Sequence, residues 1–226
     1  MAPHQQELSN GLNSSSVDGL RGEPLAAAKV RIAVLGFSDD VRVRLAMSPR
    51  VDGETSLPEI AVRGATNYAA VFDDLLHRIP ADVQWLRAEG YKVHRPVVFF
   101  LSDGQPTDGG SWRGPHAGLT DKARTPAAPN IIACGIGEAR ADTMAEVATR
   151  PEFSCVARAG TDIGLAISEF FHSLIASLVA SGHALNSANP QLVVNRLDSF
   201  TTALAEVALI GHVRNGGNGV RRAYLY

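Results

Sequence analysis

The sequence predicts an α/β domain in three layers, built around a doubly wound, mostly parallel sheet with an antiparallel edge strand. Residues 96–101 form a continuous β-branched and aromatic run, and residues 130–135 contain a second apolar run, a pattern typical of central parallel strands that are buried on both faces. Helical periodicity at 69–79 and at 163–179 alternates with these strands along the chain. Helices that alternate with apolar strands predict a doubly wound sheet.

The composition and net charge of the chain argue against some classes of function. The chain has 226 residues, and 21 Lys and Arg against 23 Asp and Glu give a net charge of −2. This balance argues against a general binder of nucleic acid or of anionic membranes, because such a protein needs an excess of positive charge. The 45% hydrophobic content excludes a disordered chain.

Localisation is predicted to be cytoplasmic, with no membrane association. No apolar stretch approaches the roughly 20 residues of a membrane span. The N-terminus has no basic and apolar export signal, and two cysteines make no disulfide framework.

The elements of the first half follow in order. Residues 1–28 show weak helical periodicity, and residues 29–37 read as a strand. Residues 41–45 alternate apolar and charged side chains, which predicts a hairpin whose second strand is a half-exposed edge. A loop over 48–64 follows, rich in Pro and Gly.

The next helix is predicted to begin at a capping residue, Thr66 or Asn67. Pro80 is expected to break or kink this helix, and the periodicity continues beyond it towards Gly90. The composition of 104–129 predicts a long surface loop with one short helix.

A helix over 140–149, a short strand over 153–157 and a last helix over 163–179 complete the alternation. The predicted domain covers residues 1–182. Residues 183–226 are expected to form a partly disordered tail, with a short strand at 192–194 and a helix near 201–210.

Two polar side chains are predicted to meet at one edge of the sheet. Asp103 follows the strand at 96–101, and Thr66 lies in the loop that opens the preceding helix. Ligands collect at the carboxyl ends of parallel strands, and a hydroxyl with a carboxylate suits a hard cation such as Mg²⁺. From spacing alone a second interpretation stays open, in which Asp103 belongs to a turn and Thr66 is a helix cap.

Two segments resemble the von Willebrand factor A (VWA) family: FFLSDGQPTDGG at 99–110 and RGATNYAAVFDDLL at 63–76. Segments at 34–43, 131–149 and 160–179 follow the order that the family would have. The resemblance extends to about Gly182 and is strongest to a bacterial cytoplasmic group of tellurium-resistance-type proteins.

The resemblance implies a metal-ion-dependent adhesion site built from three loops. Thr66 would be the hydroxyl ligand of the second loop, Asp103 the carboxylate of the third, and Gly64 would allow close backbone approach. The family's first strand and the Asp-x-Ser-x-Ser loop that follows it have no counterpart in this sequence. Residues 13–16 (NSSS) do not replace the loop, because they lack the aspartate and follow no strand.

We therefore expect the chain to start just after that motif and the gene product in the cell to be longer. The absent strand would lie between 30–37 and 97–102. These two strands are expected either to pair with each other or to leave an unstable domain, because buried unpaired backbone groups cost roughly 1–3 kcal/mol each.

The function implied is a non-enzymatic protein–protein interaction module, in which Mg²⁺ binds a carboxylate from an Asp or Glu of a partner. The family suggests roles in bacterial stress response or signalling, with protein kinases or PP2C-type phosphatases as partners. With Thr66 and Asp103 as its ligands, this chain is predicted to bind Mg²⁺ weakly or not at all. Contacts to the partner are predicted at Gly64, Asn67, Tyr68 and Trp112.

Two alternatives remain open. One is a hydrolase or phosphoryl-transfer enzyme that uses Asp103, although the sequence has no P-loop, G-x-S-x-G or G-x-G-x-x-G motif. The other is a truncated or decayed gene product with no function of its own.

Overall fold

The computed structural model describes residues 30–47, 65–184, 192–195 and 197–203. The predicted helix in 1–28, the whole loop over 48–64 with Gly64, and most of the predicted tail lie outside these residues.

The hairpin predicted near the N-terminus is confirmed. Strand β1 (Val34–Phe37) pairs antiparallel with β2 (Val41–Leu45) around the turn at Ser38. The strand begins at Val34, later than the predicted residue 29. The two strands form a sheet of their own.

The main sheet has four strands in the order β3-β4-β5-β6. Strands β3 (Val97–Ser102), β4 (Asn130–Gly135) and β5 (Ser154–Ala157) are parallel, as predicted. All six residues of β4 are buried, which agrees with the apolar run that follows Asn130 in its sequence.

The last strand, β6 (Phe200–Thr202), pairs antiparallel with β5 and forms the edge of the sheet. The predicted domain boundary at residue 182 therefore leaves out a strand of the sheet, and the helix predicted from 201 is wrong at its first two residues. The strand predicted at 192–194 is not present either, since these residues form no ladder. Strand pairing with β5 overrides a local pattern too short to identify β6.

In the described ranges, four α-helices cover the two faces of the main sheet: α1 (Tyr68–Ala88), α2 (Arg113–Thr120), α3 (Ala141–Val147) and α4 (Ile163–Ala184). Buried side chains of the first three pack with Phe100 and Ile131 in one core. Side chains of α4 pack with Ile132 and Cys134 in a second core on the opposite face. Alternate residues of β4 thus face opposite cores, and the predicted three-layer arrangement is confirmed.

Helix α1 runs through Pro80 without a break. Proline removes one backbone donor from the helix, but Val83 and Leu86 beyond it are buried. Their burial anchors the second half of the helix, so the predicted break does not occur.

Helix α4 is long and apolar enough to cross a membrane, with a mean hydropathy of 1.7 over 18 residues. The expectation that no segment reaches this length is therefore wrong. Packing explains part of its apolar character, because Ile167, Phe170 and Phe171 are buried in the second core. Below them, Cys134 and Cys155 lie opposite each other on β4 and β5 as free thiols.

Strands β1 and β3 are not paired, and they belong to separate sheets in the described part of the chain. The hairpin nevertheless lies beside β3, since Phe37 stacks on Phe100 with ring centroids 5.3 Å apart. Phe37 contacts the first core and Val34 the second. The two strands are thus joined by side-chain packing rather than by a ladder of hydrogen bonds.

Candidate functional site

Thr66 and the loop that begins at Asp103 lie at the carboxyl end of β3. Thr66 lies two residues before α1, and Asp103 directly follows β3. A β-carbon built on Gly104 would lie 3.1 Å from Thr66 Oγ1, so the hydroxyl lies against the residue that follows Asp103. The absence of a side chain at Gly104 allows this approach.

Asn67 fixes the start of α1 and ties it to the hairpin. Its side-chain oxygen accepts a hydrogen bond from the Ala70 backbone N–H at 3.0 Å, as expected of a helix cap. Its own backbone N–H donates to the Ser38 carbonyl at 2.8 Å. Its side-chain amide donates to the Asp39 carbonyl at 3.4 Å. The β1–β2 turn is thereby held at the candidate site, a contact that sequence analysis missed.

Two further residues, Thr107 and Asp108, hold the loop after β3 against α1. The backbone N–H of Thr66 donates to Thr107 Oγ1 at 3.2 Å, and the backbone N–H of Thr107 donates to the Thr66 carbonyl at 3.0 Å. Asp108 accepts hydrogen bonds from the backbone N–H groups of Ala69 at 2.8 Å and Gly110 at 3.0 Å. Sequence analysis missed both, although Asp followed by two glycines is a recognisable turn signal.

Tyr68 lies beneath this loop and is fully buried. Its hydroxyl donates to the Gly104 carbonyl at 3.1 Å. Burial raises the pKa of Tyr68 to about 12; the hydrogen bond with Ser102 opposes this, and the negative charges of Asp103 and Asp108 add to it. The predicted contact between Tyr68 and a partner is wrong, because no part of the side chain reaches the surface.

Trp112 is also a core residue, with 1% of its surface exposed. Its ring lies 5.9 Å from Tyr68, 5.7 Å from Phe72 and 5.4 Å from His116, measured between centroids. The predicted partner contact at Trp112 is therefore wrong as well. An aromatic side chain in a glycine-rich loop packs inward here because α1 and α2 leave an apolar space beneath the loop.

Thr66 and Asp103 are the two residues considered at this edge whose side-chain oxygens are available to a metal ion. Within the described ranges, Thr66 Oγ1 and the Asp103 carboxylate form no hydrogen bond or ion pair, whereas Asp108 is occupied by backbone donors. The same residues contain no group of three or more His, Cys, Asp or Glu side chains that could hold a metal ion. Mg²⁺ requires octahedral coordination. Two side-chain oxygens do not fit a resident Mg²⁺ by themselves.

Among the comparisons with known proteins, the search of solved structures found matches. No family model and no curated protein matches the chain. A crystal structure of proximal thread matrix protein 1 from the mussel byssus superposes with a TM-score of 0.53 and 13% identity, over 78% of this chain and 44% of that one. A second structure of that protein, with a zinc-occupied MIDAS motif, gives a TM-score of 0.46 and 14% identity over 76% of this chain and 45% of that one.

This chain thus spans less than half the length of the mussel protein. At 13% identity the first superposition shows the fold alone, and it agrees with the VWA-like fold that the sequence motifs imply. The narrower resemblance to tellurium-resistance-type proteins stays a prediction.

Proposed function

We propose that the chain is a non-enzymatic protein–protein interaction module whose contact surface is the loop edge around Thr66 and Asp103. The observation that carries the proposal is the convergence of three segments there: the β1–β2 turn, the start of α1 and the loop after β3. Backbone hydrogen bonds fix all three, so the edge is a preorganised surface.

The chemistry of the edge favours recognition over catalysis. Asp103 is exposed, and the hydrogen-bonding side chains of the surrounding segments, Thr107, Asp108 and Tyr68, are engaged with backbone groups. Nucleophilic or acid–base catalysis needs a positioned general base or acid within hydrogen-bond reach. Asp103 and Thr66 have no such neighbour among the hydrogen bonds of the described chain.

A divalent cation fits this edge only if a partner protein supplies some of its oxygen ligands. Thr66 and Asp103 supply two oxygens, and a carboxylate from a partner would supply another and part of the charge neutralisation. We therefore propose that cation binding and partner binding depend on each other at this surface. A cytoplasmic kinase or PP2C-type phosphatase that presents an exposed Asp or Glu remains the proposed class of partner.

Capture experiments test this function. The full chain, immobilised with Mg²⁺ present, is expected to retain specific proteins from a lysate of its source organism and to release them in EDTA. Asp103→Asn and Thr66→Val should abolish retention. Asp73→Asn removes an exposed carboxylate on α1, away from the edge, and should leave retention unchanged. Equal retention by wild type and Asp103→Asn would refute the proposal.

Calorimetry with Mg²⁺ and the isolated chain tests the shared site separately. Two protein oxygens hardly improve on full hydration, so we expect a dissociation constant weaker than about 1 mM, beyond the range of most protein sites for hard cations. Micromolar affinity without a partner would show that the chain holds a complete site.

A further inference from the structure

We propose a second binding site, for a small phosphate-bearing anion, at the opposite end of the main sheet from Thr66 and Asp103. A cavity of about 240 Å³ lies where β3 and β4 begin, between the last turns of α1 and the loop that leads into β4. Four of the residues that line it carry basic side chains: Arg87, His94, Arg95 and Lys122. Its other lining residues are apolar, and none is acidic.

Arg95 gives this cavity a fixed donor group. Its Nε donates to the Ala128 carbonyl at 2.9 Å, and its Nη2 donates to the Pro129 carbonyl at 3.1 Å. These bonds hold the guanidinium in place and use two of its five N–H donors. Partial burial and the positive charge of Arg150 lower the pKa of Arg95, as expected of a cation that lacks a neutralising neighbour. An anion in the cavity would supply that missing charge.

The other basic side chains are available to a ligand. Arg87, His94 and Lys122 are exposed, and none forms a hydrogen bond or ion pair within the described part of the chain. Arg87 lies on α1, whereas Lys122 follows α2. Cations from three separate segments therefore surround one cavity without a carboxylate between them, although the whole chain is slightly acidic.

Cavity size and charge indicate the class of ligand. Sites for drug-sized molecules measure about 300–1,000 Å³, so about 240 Å³ suits a smaller molecule. A phosphate group carries close to two negative charges at neutral pH and three strong acceptor oxygens, whereas a carboxylate carries one charge and two oxygens. Several cations around one small cavity match the phosphate better. The apolar lining, which includes Val83 and Pro126, offers a contact surface to the uncharged part of such a ligand.

Calorimetric titration of the full chain with inorganic pyrophosphate tests the site. At 0.15 M salt, where exposed charges more than about 8 Å apart are screened, we expect saturable binding with one ligand per chain. Arg87→Gln and Lys122→Gln should each weaken the affinity about tenfold, because each removes a charge-assisted contact. Both side chains lack structural partners, so these variants should keep the wild-type melting temperature. Arg95→Gln is a poor test variant because Arg95 also holds the loop before β4.

Arg158→Gln is the matched control, since it removes one exposed cation just beyond the carboxyl end of β5. Its affinity for pyrophosphate should stay within twofold of the wild type. Absence of binding by the wild type at 10 mM pyrophosphate, or an equal loss in Arg158→Gln, would overturn the site. Citrate binding as tightly as pyrophosphate would overturn the assignment to phosphate. None of these outcomes depends on Mg²⁺ or on a protein partner, so the test is independent of the proposed function.

Discussion

Tyr68 connects the candidate surface to the core. The residue begins α1, its ring is surrounded by Phe37, Phe100 and Trp112, and its hydroxyl reaches the loop after β3. One side chain therefore contacts both the first core and the loop that follows β3. Its ionisation would place a negative charge in an apolar cluster close to two aspartates.

Alkaline pH should destabilise the folded chain through the ionisation of Tyr68. Its pKa of 10.0 in an unfolded chain rises to about 12 in the folded one, so the stability linked to the neutral phenol is complete below pH 10 and is lost as pH rises towards 12. The wild type should lose roughly 3 kcal/mol across this interval relative to Tyr68→Phe, which cannot ionise.

Denaturant unfolding of both proteins at pH 8, 10 and 12 measures this difference. At pH 8 we expect Tyr68→Phe to be about 1 kcal/mol less stable, because the hydrogen bond to the Gly104 carbonyl is lost. The order should reverse by pH 12. A difference that stays constant with pH would contradict the buried environment of the hydroxyl.

Individual residues show how far the sequence alone could lead. The meeting of Thr66 and Asp103 follows from chain order, because one precedes a helix and the other ends a strand at the same edge of a parallel sheet. The burial of Trp112 does not follow, since no local pattern shows which side of a loop covers a core. Asp108 was also missed, because its role depends on Ala69, 39 positions away.

Among the secondary-structure elements, apolar strands and periodic helices could be predicted from the sequence, whereas the short edge strand could not. The apolar run at 131–135 identifies β4 from the sequence, and the structure buries all six residues of the strand. Strand β6 has three residues and is specified by its pairing with β5, which no local pattern contains. Pro80 illustrates the same limit, because burial of α1 on both sides of the proline outweighs the lost hydrogen bond.

Gly135, the last residue of β4, tests how tightly α3 packs on the sheet. A β-carbon there would lie 2.9 Å from Ala139 Cβ, 3.0 Å from Met144 Cγ and 3.2 Å from Val156 Cγ1. Gly135→Ala should therefore lower the free energy of unfolding by about 1–3 kcal/mol through overpacking. Chemical denaturation with a two-state fit measures the change.

Gly114 provides the matched control, since a β-carbon at this exposed position in α2 would meet no atom within 4 Å. Gly114→Ala should leave stability unchanged or raise it by up to about 1 kcal/mol, because alanine favours the helix. If Gly135→Ala were equally harmless, the contact between β4 and α3 would be looser than the structure has it.

On the scale of the whole molecule, two surfaces of different character lie at opposite ends of one sheet. Asp103 follows β3, and the basic cavity lies where β3 begins. Because β3 to β5 are parallel, the loops that follow these strands lie at the Asp103 end of the sheet and the loops that precede them lie at the end where the cavity is. The parallel topology therefore separates the two proposed functions by the length of the strands.

The division into two sheets predicts uneven stability. Strand β4 has a hydrogen-bonded neighbour on each side, whereas β1 and β2 pair with each other alone in the described chain. A two-stranded hairpin is marginally stable in water, so packing of Phe37 on Phe100 must supply much of its stability. We expect the hairpin to open locally without unfolding of the main sheet.

Hydrogen–deuterium exchange followed by mass spectrometry tests this expectation. Peptides that cover 34–45 should exchange at least tenfold faster than peptides that cover 130–135, and α1 should behave like β4 because its inner face is buried in the first core. Phe37→Ala should speed exchange in 34–45 further and leave 130–135 unchanged, because the stacking contact that joins the hairpin to β3 is removed. Equal protection of both regions in the wild type would mean that the hairpin unfolds only together with the main sheet. Side-chain packing and the hydrogen bonds of Asn67 to the β1–β2 turn would then couple the hairpin and the main sheet into one cooperative unit.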